Sequence, residues 1–190
     1  EASNLSFSDI FDAVMTNHGN CSRIVAQALE GRGKHDPLPK ALESGYRLQY
    51  DIAMDRGGER DLHRHRNCVQ IHQPLTTKRG WDTPALITEM GLANDYNHDM
   101  LQAGRLVEEI RGEIGVDADY LIPFAFRSGT LYKMHLSEAV YIIELRSGEQ
   151  GHFSYREVAC QMHDQLVQRL PELDGCIRVT PFEEQNLFKR

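Results

Sequence analysis

The sequence predicts an α+β fold, with a small, mostly antiparallel sheet packed among helices, and two observations carry that prediction. The segments 46–54 and 120–126 alternate apolar and polar residues with a period of two, as half-buried strands do. Most of the remaining chain repeats apolar residues at spacings of three and four between Gly, Pro and Asn breaks, as amphipathic helices do. The expected sum is about three or four strands among roughly six helices.

The elements follow in order. Ser6-Phe7-Ser8-Asp9 has capping-box character and opens a helix through Ile10, Phe11, Val14 and Met15. A second helix carries Ile24, Val25, Ala28 and Leu29 and stops at Gly31-Arg32-Gly33. Tyr46, Leu48, Tyr50, Ile52 and Met54 form one face of a strand. Gly57-Gly58 then leads into a polar helix ending near Arg66, followed by a long loop through Gln73-Pro74 and Arg79-Gly80. Thr83-Pro84 reads as an N-cap with Pro at the first helical position. A longer helix carries Met100, Leu101, Leu106, Val107 and Ile110. Tyr120, Ile122, Phe124 and Phe126 predict a strand, with Ser128-Gly129 as a hairpin turn and Leu131–Met134 returning antiparallel. Ser137 caps a helix over Glu138–Leu145, and Phe153 or Ser154 opens a last long helix limited by Pro171.

Composition narrows the function classes. The 190 residues carry a formal net charge of −7, which repels nucleic acid and anionic membranes, so any bound anion needs a local basic site. No run of roughly 18 apolar residues is present. Cys21, Cys68, Cys160 and Cys176 lie far apart without a CxxC pair, the pattern of free thiols in a reducing, cytoplasmic setting. Nine histidines invite a metal site, but no HExxH-type spacing occurs, and no metal is expected. The chain opens Glu1-Ala2-Ser3-Asn4, without Met or a basic-then-apolar leader. A single domain over 1–190, cut from a longer protein with a companion domain or subunit, is the expectation.

The most unusual stretch is Arg60–Arg66. On a helix, Arg56, Arg60 and Arg64 stack at i, i+4 and i+8. Two readings stand. One is a solvated face with the arginines paired to Asp55, Glu59 and Asp61, which composition alone favours. The other is a phosphate or pyrophosphate site, because guanidinium forks match phosphate oxygens bidentately. Tyr141 and Tyr155 are expected as partly buried core aromatics.

Arg64-His65-Arg66, placed after a strand and at the end of a polar helix, resembles the Arg-His-Arg core of the flavin-dependent thymidylate synthase (thymidylate synthase complementing protein, ThyX) signature. About 80 residues on, His135–Arg146, with its Leu145-Arg146 ending, resembles that family's late helix, and Gly151–Ala159 the helix after it. The resemblance spans Tyr46 to Pro171. It implies that Arg64, His65 and Arg66 contact the phosphates of FAD at a subunit interface. It implies that Arg146 is the catalytic contact, binding and polarising a pyrimidine. The alternative for Arg146 is a cation completing its helix's last turn. The implied reaction is methylation of a uridine nucleotide at C5, of the dUMP to dTMP type, with methylenetetrahydrofolate as carbon donor and NADPH regenerating the flavin. No cysteine nucleophile is needed, and the implied assembly is a homotetramer.

The signature departs after Arg66. Where the family places Ser, Asn, Ser and Arg, this chain has Val69, Ile71, Pro74 and Thr76, and a nearby Gln is replaced by Asp61. Val69 and Ile71 offer no side-chain hydrogen bond, and Pro74 lacks even the backbone N–H. Thr76-Thr77-Lys78-Arg79 offers a substitute phosphate cradle, with Lys78 and Arg79 as substrate-binding candidates; the alternative there is an ordinary exposed turn. The second functional reading is therefore a non-catalytic, flavin-binding or structural paralogue. A nucleic-acid-binding module built on the basic helix is disfavoured by the net charge.

Overall fold

A computed structural model describes residues 48–182 continuously, together with 16, 23, 25–27, 29–34 and 36–38. The expected first helix lies outside the described residues. Of the expected second helix, 23, 25–27 and 29 are helical, and Gly31 at φ 77° follows its end.

Strand β1 (Leu48–Asp55) turns Tyr50, Ile52 and Met54 inward, as the alternation predicts. Asp55 then caps helix α1 (Arg56–Leu62) by accepting from Gly58 N at 2.7 Å. Two N–H groups at that helix start, on Arg56 and Gly57, donate to the carbonyls of Phe126 and Phe124. Next come β2 (Val69–His72), α2 (Ala85–Glu89) and α3 (Ala93–Ile114). A 3-10 turn over Gly115–Leu121 leads to β3 (Arg127–Met134), followed by α4 (Leu136–Arg146) and α5 (Phe153–Arg169).

The described sheet has three strands in the order β1-β3-β2, and both pairings are antiparallel. β3 is central, with Asp55 opposite Arg127 and Val69 opposite Lys133. The inner sheet face and α4 and α5 bury the main core around Leu62, Tyr132, Ile142, Ile143 and Leu166. A smaller core joins α3 to Ala118, Ile122 and Phe126. Among the described residues no helix is long and apolar enough to cross a membrane.

The α+β class and the antiparallel sheet are as the sequence predicts; several boundaries and one hairpin are not. Ser128-Gly129 is no turn but the interior of β3. Ser128 and Thr130 point inward as hydroxyl donors to Glu59, while Gly129 leaves room for Gln73 and Arg79, whose atoms a Cβ would approach to 2.3 and 2.9 Å. The expected strand at 120–126 is instead the end of the 3-10 turn and an irregular segment through Pro123, which has no ladder N–H to give. β2 lies where a loop was expected. Helix α2 begins one residue late, with Pro84 in the cap position, and α4 begins at Leu136 behind His135. Leu101 and Leu106 of α3 are exposed, leaving Met100 and Val107 as its buried residues.

Helix α1 meets α5 at Gly58. A Cβ there would stand 2.2 Å from Ser154 Oγ and 2.8 Å from Met54 Cε. Gly58→Ala is therefore expected to lose about 1–3 kcal/mol by overpacking. A urea midpoint equal to that of the parent protein would show that the contact relaxes freely.

Candidate functional site

The candidate site grows from the end of α1. The sequence predicts a helix through Arg66, but the helix stops at Leu62 and His63–Asn67 form a turn. Continuing it would stack consecutive cationic groups on adjacent stripes. Side chains from elsewhere take the freed carbonyls instead. Gln70 Nε2 donates to His65 O at 2.7 Å, and Arg146 Nη2 donates to Asp61 O at 2.8 Å.

His65 is the buried centre of this turn. Its Nε2 accepts from Arg146 Nε at 2.8 Å, and its Nδ1 faces Glu138 Oε1 at 3.7 Å. Glu138 Oε2 also accepts from Asn67 Nδ2 at 3.1 Å. Glu138 and Arg146 sit eight residues apart on one face of α4, so a single helix grips the turn at two points. Tyr141, expected as a core aromatic, is instead exposed and packs edge-on against the His65 ring. Tyr155 is half-buried under the Arg146 guanidinium, 5.3 Å from its ring centre.

Burial, and then the Arg146 charge, push the His65 pKa down to about 4. The imidazole is thus neutral at pH 7 and accepts from Arg146. In the unfolded chain His65 takes up a proton near its ordinary value of 6.5, before the folded protein does. Unfolding therefore binds protons between roughly pH 6.5 and 4, and stability is expected to fall with acid across that window. His65→Gln should flatten that part of a urea-midpoint profile against pH. An unchanged profile would place the acid sensitivity elsewhere.

Arg64 and Arg66 flank the buried histidine and face outward. Arg64 is 73% exposed, with Asp61 at 3.2 Å as its partner, and Arg66 is exposed. Exposed ion pairs of this kind are weak, so Arg64 is free to exchange Asp61 for a ligand anion. Arg64 also lines a cavity of about 470 Å³ that the sequence does not reveal as a unit. Arg56, Arg60, Arg64 and Arg127 line it together with Asp119, and Tyr120, Phe124 and Phe126 supply aromatic surface. Arg127 reaches it because the β1–β3 register places it opposite Asp55, where α1 begins.

Beneath the cavity lies a second feature missed in the sequence. Glu59, expected as a surface partner for arginines, is 1% exposed. It pairs with Arg56 and accepts from Thr130 Oγ1 at 3.0 Å and Ser128 Oγ at 3.3 Å, with His72 Nδ1 at 2.9 Å. The usable signal was Ser128 and Thr130 alternating within a strand.

Lys78 and Arg79 do not line the cavity. Lys78 is exposed, with its backbone N–H on Thr76 Oγ1, and Arg79 donates to Gln73 over Gly129. Thr76 alone of their run lines the cavity. Val69 and Ile71, 58% and 51% exposed, face away from the buried sheet face, and Pro74 follows them. Cys68 donates to His65 O at 3.0 Å, and burial pushes its thiol pKa up, away from a nucleophile's range.

Residues 46–172 match the family model of the thymidylate synthase complementing protein. The chain belongs to that family. Its fold resembles a flavin-dependent thymidylate synthase of Helicobacter pylori solved with FAD and dUMP. The TM-score is 0.62 at 15% identity, covering 89% of this chain and 92% of the other. A UPF0159 protein of Thermoplasma acidophilum is 36% identical over 131 residues, 68% of this chain and 26% of that protein. A UPF0159 protein of Chlamydia muridarum is 31% identical over 149 residues, 78% of this chain and 28% of that one. This chain therefore spans between a quarter and a third of the length of those curated relatives. Within the matched residues, Arg64-His65-Arg66 lies in the turn described above, clamped by Arg146 at the end of α4.

Proposed function

We propose that this domain binds FAD, with Arg64 and Arg66 holding its phosphates, inside an assembly that methylates a uridine nucleotide at C5. The observation that carries the reading is the clamped turn. Its buried centre, His65, is fixed by α4, so the two outward guanidiniums are presented on a rigid base with weak competing partners. Rigid forks lose little freedom on meeting a phosphate, which is where arginine exceeds lysine.

When bound, the flavin supplies the hydride chemistry, with methylenetetrahydrofolate and NADPH as co-substrates. The residues of this chain bind and orient. Arg64 and Arg66 neutralise phosphate charge. Arg146 has Nε on His65 and Nη2 on Asp61 O, so its work here is to position the turn rather than to polarise a pyrimidine alone. In this reading the domain acts in the cytoplasm within a homo-oligomer, with the remainder of a longer protein or a companion subunit completing the site.

One observation favours the second reading, a flavin-binding paralogue without its own catalysis. All four positions of the family signature after the Arg-His-Arg core are replaced, by outward-facing Val69 and Ile71 and, at the two that serve the nucleotide phosphate, by Pro74 and Thr76. Two measurements separate the readings. An absorbance spectrum after incubation with FAD and desalting is expected to retain flavin bands, and their absence would remove the cofactor assignment. Tritium release from C5-labelled dUMP, with all co-substrates present, is expected from the enzyme and not from the paralogue.

A further inference from the structure

We infer that Arg156 is the positioning residue of the Arg-His-Arg turn, fixing the end of α4 so that Arg146 keeps its hold on His65. The inference rests on the flavin reading for what the turn binds, and on the geometry of α4 and α5 alone for how the turn is held.

Arg156 is 2% exposed, yet none of the ion pairs among the described residues includes it. Its Nε donates to Ser147 O at 3.1 Å and its Nη2 to Pro181 O at 3.4 Å, and the Phe182 ring centre lies 5.8 Å from the guanidinium. Its Nη1 is buried without a hydrogen-bond partner. A buried cation with no carboxylate and an unmade hydrogen bond costs free energy, and an apolar side chain of similar volume is often as stable or more so. Stability alone therefore does not account for an arginine here.

What the guanidinium touches does. Ser147 is the C-cap of α4, and Arg146 is that helix's last residue. The negative end of a helix attracts a cation, and its last carbonyls lack partners within the helix. Arg156 supplies both a charge and a donor at that point. Ser147 is fully buried, and its Oγ accepts from Thr180 N at 3.2 Å, so the cap is held from two sides. Tyr155, the neighbour of Arg156, lies under the Arg146 guanidinium. The first turn of α5 thus sets both the backbone and the head group of Arg146. Gly151 lets the connecting segment close on that turn, since a Cβ there would stand 2.6 Å from the Tyr155 ring and 3.0 Å from Arg156 Cγ. The tolerance is small. Arg146 reaches His65 Nε2 and Asp61 O at 2.8 Å each, and such bonds are lost once a helix end shifts by about 1 Å. Arg64 and Arg66 would then no longer stand on a rigid base.

The test follows the Arg146 Nε–H by nitrogen-15 NMR at neutral pH, assigned by its loss in Arg146→Lys, with FAD titrated beside it. In the parent chain this proton, bonded to the His65 ring, should exchange slowly with water. In Arg156→Met its exchange should quicken about tenfold or more and FAD affinity should fall about tenfold, while the urea midpoint stays at or above the parent's. Arg156→Lys keeps the charge, but its single ammonium cannot span both carbonyls, so it should release Arg146 too. The lysine variant decides the matter if Arg156→Met does not fold. Slow exchange in a folded variant overturns the proposal whatever its FAD affinity, and so does quickened exchange with FAD affinity unchanged. A lowered midpoint with exchange quickened at every protected amide marks general loosening and overturns it as well. Quickened exchange at Arg146 in variants of a chain whose parent binds no FAD would leave the positioning role standing and remove the flavin reading.

Discussion

The double variant Arg64→Ala/Arg66→Ala is expected to abolish flavin retention while leaving the fold intact. Hydrogen bonds to charged groups contribute about 1.5–3 kcal/mol each, so losing both arginines weakens binding by roughly 100-fold to 10,000-fold. The fold should survive because both side chains face solvent and the ion pair to Asp61 is exposed. The measurement is flavin absorbance after desalting, with a dissociation constant from fluorescence titration and a thermal melt beside it. Arg64→Lys should fall between parent and double variant, because lysine keeps the charge and loses the fork. Parent-like affinity in the double variant, with an unchanged melt, would remove these residues from the flavin site.

The parts of this molecule legible in the sequence are those whose side-chain pattern matches their burial. Tyr50, Ile52 and Met54 are apolar and inward, so β1 reads as a strand. The late helices read correctly for the same reason, through Ile142, Ile143, Met162 and Leu166. β2 inverts the rule. Val69 and Ile71 face out, while Gln70 bonds the carbonyl of His65 and His72 meets Glu59. A strand whose inward residues are polar looks like a loop, because its pairing is with a polar network and not with the core. Ser128-Gly129 misled likewise, since hydroxyls aimed at a buried carboxylate resemble turn residues.

The site was legible in part. Arg64-His65-Arg66 is a contiguous string and can be recognised without a fold. The division of labour inside it is not, since nothing in the string says that His65 is buried and the arginines outward. That depends on Glu138 and Arg146, more than 70 residues away, reaching the same imidazole from one helix face. The cavity was illegible for a similar reason. Its walls come from α1, the 73–80 loop and the Tyr120–Arg127 segment, and only the β1–β3 register brings them together.

Glu59→Ala is expected to produce the largest loss of stability, about 3–5 kcal/mol, the usual cost of removing one partner from a buried charge network. The carboxylate is the common acceptor for Arg56, Ser128 and Thr130, and His72 lies within hydrogen-bond range. Alanine would take the carboxylate acceptor from Thr130, leave Ser128 only the Met54 carbonyl, and free the Arg56 guanidinium beside the cavity. Glu59→Gln keeps one acceptor oxygen but turns an amide N–H₂ toward existing donors, so its loss should be smaller and still clear. Urea unfolding of Glu59→Ala, Arg56→Ala and the double variant gives the coupling. The double variant should lose less than the two single losses added together, because removing Arg56 also removes the cation left uncompensated. A Glu59→Ala loss below about 1 kcal/mol would mean that water replaces the carboxylate without strain, and that Glu59 does not tie α1 to the sheet.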